Sequence, residues 1–60
     1  MNSKLLATAI HSVRQDLEST ERARASQPGS DKIFHAYMQG RETALRQTQE
    51  MLEQLMALAS

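Results

Sequence analysis

Apolar positions fall into two stretches of helical period separated by a single break. In the first, Leu6, Ile10, Val13, Leu17 and Thr20 follow a 4-3-4-3 spacing, which gathers them on one face of a helix as a heptad-like seam. Leu5 and Ala9 widen that seam. The pattern predicts a helix from about residue 4 to 25, with Asn2 or Ser3 able to cap its first turn. The break is Ser26-Gln27-Pro28-Gly29-Ser30, where Pro-Gly is a turn dipeptide and serine suits loops and caps. Beyond it the stripe reads Phe34, Tyr37, Met38, Arg41, Ala44, Leu45, Thr48, Met51, Leu52, Leu55 and Leu58. This predicts a second helix over about 31–59, with Ser30 as N-cap and Asp31 in the first turn, where its charge suits the helix dipole.

A turn at residues 26–30 makes the two helices antiparallel. Counting back from it places Leu17 near Gly40, Val13 near Ala44, Ile10 near Gln47 and Thr48, and Leu6 near Met51 or Leu52. The small Gly40 and Ala44 suggest close packing at that level. By the same count Leu55, Met56 and Leu58 reach past the start of the first helix, so their expected partner is another chain. The expected fold is all-α: one domain over 1–60, a two-helix antiparallel hairpin assembled as a dimeric four-helix bundle or higher oligomer. Leu6, Ile10, Met51, Leu52, Leu55, Met56 and Leu58 are the expected contacts with that second copy or another protein partner.

Composition strengthens the need for company. The chain has 60 residues, and a domain of that length buries only about 60% of its unfolded surface. Such scaffolds are usually stapled by disulfides, a metal or oligomerisation. There is no cysteine, so disulfides and thiolate metal sites are excluded. Two histidines, His11 and His35, are too few for a structural metal without help from other groups. No metal or other cofactor is expected, and oligomerisation is the staple left.

Seven basic residues balance seven acidic ones. That argues against DNA or RNA as partner, which would call for a basic excess on one face, and it permits self-association. No apolar run is long enough to span a membrane and no signal-peptide pattern is present, so a cytoplasmic protein is expected.

The chain lacks a glycine-rich phosphate loop, a Gly-x-Ser-x-Gly elbow and a His-Glu-x-x-His pair, and a lone hairpin has no water-excluding pocket, so no enzyme is expected. Arg41 is the residue that stands out, because it lies within the stripe. It could rest its stem on the seam, meet Asp16 and fix the register. Alternatively it could hold an anion bidentately while Tyr37 or Phe34 stacks on a base. Those three residues are the candidate site for a small nucleotide ligand.

Two family resemblances bear on these alternatives. The stretch Tyr37 to Leu55, with Ala44-Leu45 and Met51-Leu52, resembles the second helix of the small co-chaperones of type III secretion needle subunits, hairpins that bind a larger partner. In size and style the chain is also similar to small phage-encoded helical proteins that inhibit or sequester host defence components. Some of those trap signalling nucleotides between subunits, which for this chain implies Arg41 and Tyr37 as contacts. The expected function is therefore a non-enzymatic interaction module, an inhibitor, regulator or co-chaperone acting through its helical faces. The alternative is an oligomer that sequesters a small anionic ligand.

Overall fold

The computed structural model describes residues 3–59 and consists of two helices packed as a hairpin, α1 over Ser3–Ser26 and α2 over Lys32–Ala59. Both bounds lie within a residue of those expected from the stripes. Asn2, one of the two expected caps of α1, lies outside the described residues.

The turn differs from expectation in one detail. Asp31, not Ser30, caps α2: its Oδ1 accepts the Phe34 backbone N–H at 3.0 Å, the bond an N-cap side chain makes to the third helical residue. Ser30 is drawn instead into the turn, where its carbonyl accepts from Lys32 N at 3.0 Å while Asp31 N donates to the Pro28 carbonyl at 3.1 Å. α1 stops at Ser26 because Pro28 disfavours helical backbone at Gln27. The Ser26 hydroxyl meets the orphaned Ala23 carbonyl at 3.0 Å.

The seam of α1 is the expected one. Leu6, Ile10, Leu17 and Thr20 are buried and Val13 is half-buried. The seam of α2 is narrower than its stripe and partly polar. Its half-buried positions run Phe34, His35, Met38, Glu42, Leu45, Gln49, Leu52, Leu55 and Met56. Glu42 and Gln49 belong because Met38-Glu42-Leu45-Gln49-Leu52-Met56 is itself a 4-3-4-3-4 series. Long polar side chains can lay their stems along a seam and keep their heads wet. No residue of α2 is buried.

The register also differs. Arg14 meets Glu53 and Arg24 meets Glu42, and Met56 shares a cleft with Ala7 and Ile10. Each partner lies further along α2 than the count from the turn placed it. The turn climbs the end of α2 instead of folding flat, with His35 Nε2 3.0 Å from the Pro28 carbonyl. α2 therefore overhangs at the turn end, where Ile33 is 86% exposed. The expected overhang of Leu55, Met56 and Leu58 is not found: Leu55 and Met56 are half-buried within the hairpin, and only Leu58 is exposed. Close packing of Gly40 is likewise not found, since a methyl group built there would meet nothing within 4 Å.

Candidate interaction face

Helical spacing sorts the residues beside the seam onto two faces of the hairpin. One face is charged. Arg14 and Glu21 of α1 share a helix flank, seven residues apart, and reach Glu53 at 3.0 Å and Arg46 at 2.9 Å on α2. Nearer the turn, in the seam beside this flank, Arg24 binds Glu42, which Arg46 also reaches at 3.3 Å. The Arg24 guanidinium hydrogen-bonded to Glu42, reinforced by Arg46 and opposed by desolvation, holds the Glu42 carboxyl below the ordinary glutamate range. Glu53 is lowered too, first by the Gln49 amide at 3.0 Å and then by Arg14.

The opposite face carries a second heptad on α2: Tyr37, Arg41, Ala44, Thr48, Met51, Leu55 and Leu58, spaced 4-3-4-3-4-3. On α1 it carries Leu5, Ala9, Ser12, Asp16, Ser19 and Ala23, spaced 4-3-4-3-4. Most of the large apolar side chains among them are left in solvent: Leu5 is 69% exposed, Tyr37 67%, Met51 61% and Leu58 84%, while Leu55 is half-buried. Asp16 and Arg41 are the only charges in these two series. This face is otherwise neutral, apolar or small.

Arg41 is where the expected site meets the seam. Its Nε donates to the Thr20 hydroxyl at 3.1 Å, and that hydroxyl donates to the Asp16 backbone carbonyl at 2.8 Å. Arg41 thus meets the backbone of Asp16 through Thr20; the expected carboxylate–guanidinium pair is replaced by this relay. Thr20 is the most buried of the described residues, 2% exposed, and the relay satisfies its hydroxyl completely.

Of the three candidate ligand residues, Tyr37 and Arg41 come together. They border an open groove over Gly40 and Ala44 that continues to Leu45 and Thr48. Phe34 is not part of it, standing edge-on to His35 with ring centroids 5.4 Å apart. Among the expected interface residues, Leu6 and Ile10 are spent on the hairpin's own core. Leu52 is half-buried in the seam, and Met56 turns to the charged side beside His11 and Arg14. Met51, Leu55 and Leu58 remain on the neutral face.

Among the described residues no three histidine or carboxylate groups converge as a metal site, and no helix is long and apolar enough to cross a membrane. No family model matches the chain, and neither a curated protein nor a solved structure matches it.

Proposed function

We propose that the protein is a non-enzymatic helical interaction module that self-associates through its neutral face. The observation carrying this reading is the one-sided placement of charge: the pairs Arg14–Glu53 and Arg46–Glu21 lie on one flank and Arg24–Glu42 in the seam beside it, while the other face holds Leu5, Tyr37, Met51 and Leu58 in solvent. Interfaces that persist in water are depleted of charge at their centre, and apolar side chains gathered in solvent on one face of a monomer mark interaction sites.

Size supports the same reading. The radius of gyration is 14.0 Å, against about 10 Å for a compact chain of this length. The accessible surface is 4553 Å², about 600 Å² more than a compact protein of this mass exposes. That excess approaches the roughly 800 Å² per partner of a standard interface. A second hairpin on the neutral face would complete a four-helix bundle and remove it. An inhibitor or co-chaperone would use the same face by exchanging the second copy for a target helix.

Sedimentation equilibrium at micromolar concentration tests this. The expected mass is that of two chains, or a larger whole number of them. A single-chain mass up to millimolar concentration contradicts it.

A second reading rests on the shared groove of Tyr37 and Arg41. Arg41 spends one donor on Thr20 and has its terminal amino groups left for an anion. Calorimetric titration with cyclic dinucleotides should then show binding that Arg41→Ala abolishes, and absence of heat in the wild-type protein removes this reading.

A further inference from the structure

The geometry points to a specific occupant and orientation for the neutral face: a second copy of this chain, with its α2 packed antiparallel on α2 about a two-fold axis beside Gln47 and Thr48. The inference rests on the self-association proposed above and goes further, because that reading is indifferent to orientation.

Size and charge vary along this stripe and the residues that border it, Gly40 and Gln54 among them. Its N-terminal half contains the hollow, where Gly40 and Ala44 leave open space beneath Tyr37 and Arg41. Its C-terminal half contains the bulk: the exposed Met51 and Leu58 and, between them, the half-buried Leu55. A two-fold axis at the stripe's midpoint lays one half on the other. Ala44 then faces the partner's Met51, Gly40 faces the partner's Leu55, and Tyr37 faces the partner's Leu58. Large side chains enter hollows at both ends, as close packing requires, and the surface is self-complementary, as a two-fold interface must be.

A parallel arrangement fails on both counts. It stacks hollow on hollow and bulk on bulk. It also sets Arg41 against the partner's Arg41, two like charges in a layer with no carboxylate between them. The antiparallel arrangement sets Arg41 against the partner's Gln54, whose amide oxygen accepts from a guanidinium.

Gly40 gains a reason in this arrangement. Mid-helix glycine costs about 1 kcal/mol relative to alanine, and nothing inside the hairpin requires it, since a Cβ there meets no atom within 4 Å. The partner's Leu55 is what requires the gap.

The chain contains no cysteine, so a single spin label can be placed at Ala36→Cys, beside the stripe, and its distance to the copy on the partner measured by double electron–electron resonance. The antiparallel dimer separates the two labels by 23 residues of helix, about 35 Å at 1.5 Å per residue. A distance below about 20 Å in a protein whose mass is that of a dimer overturns the orientation while leaving self-association intact. A monomeric mass overturns both. As an independent check, Gly40→Leu improves helix propensity yet fills the hollow, and the dimer dissociation constant is expected to rise at least tenfold. A dimer of unchanged affinity in Gly40→Leu removes the contact on which the orientation rests.

Discussion

The two faces of this hairpin differ in how they treat solvent. The charged face ties α1 to α2 with arginine–carboxylate pairs, most of them wet: the side chains of Arg14 and Glu53 are 57% and 45% exposed. Exposed pairs contribute little stability each, but they keep a surface hydrated and unattractive to apolar partners. The neutral face joins Arg41 to Thr20 across the helices and holds Leu5, Tyr37, Met51 and Leu58 in water. Net charge alone does not show this, because the balance of seven against seven is an average over two unlike sides. Where the charges fall separates a salt-bridged side from one that is largely uncharged.

The sharpest way to break that contrast is to charge the neutral face. Met51→Glu with Leu55→Glu should reduce the mass to one chain and, if the proposed association supports folding, lose most of the helical circular dichroism at micromolar concentration. Matching changes on the charged side, Arg46→Ala with Arg14→Ala, should leave the mass as it was. Dissociation by the second pair and not the first would reverse the assignment of the faces.

A smaller effect is expected at the relay. Thr20→Val keeps the shape of the most buried residue but removes the acceptor for Arg41. Urea unfolding should register a loss of about 1 kcal/mol, the ordinary net worth of a side-chain hydrogen bond. No loss would mean that Arg41 does not depend on Thr20 for its position.

The relay also shows where the sequence was readable and where it was not. The seam of α1 was legible because its apolar residues form a single narrow stripe, so one helix face was the only choice. In α2 apolar residues cover two adjacent stripes, Met38-Leu45-Leu52-Met56 and Tyr37-Ala44-Met51-Leu55-Leu58. Periodicity cannot say which of them faces α1. The deciding signal is electrostatic: Glu42 lies in one stripe and Arg41 in the other, and only Glu42 has cations of both helices, Arg24 and Arg46, to meet it. The register escaped for a different reason. A five-residue turn can fold flat or climb the following helix. His35 closing on the Pro28 carbonyl is a tertiary contact that no local pattern announces. Arg41 stands out in the stripe by its charge, while its hydrogen-bond partner, Thr20 in place of Asp16, follows from the shifted register.

The charged face should reveal itself in acid. Glu42 has its folded pKa lowered by Arg24 and Arg46, so its contribution to stability is complete above the ordinary glutamate value and is lost as pH falls through the lowered one. Melting temperatures recorded from pH 6 to 3 should decline in the wild-type protein and decline less steeply in Glu42→Gln. Equal slopes would show that the carboxylate is not held by its arginines. The smallest effect belongs to Arg14→Ala, which removes one exposed pair and should leave the melting temperature at pH 7 within error; a drop of many degrees would show that this pair anchors the hairpin.

The concentration dependence of thermal unfolding tests most directly whether the neutral face needs a second surface, as proposed. For a dimer that folds as it associates, a hundredfold rise in protein concentration adds about 2.7 kcal/mol and should raise the melting temperature by about 10 °C. A melting temperature that stays constant over that range, with the helices intact, would contradict the account, because the hairpin would then be stable with its neutral face in water.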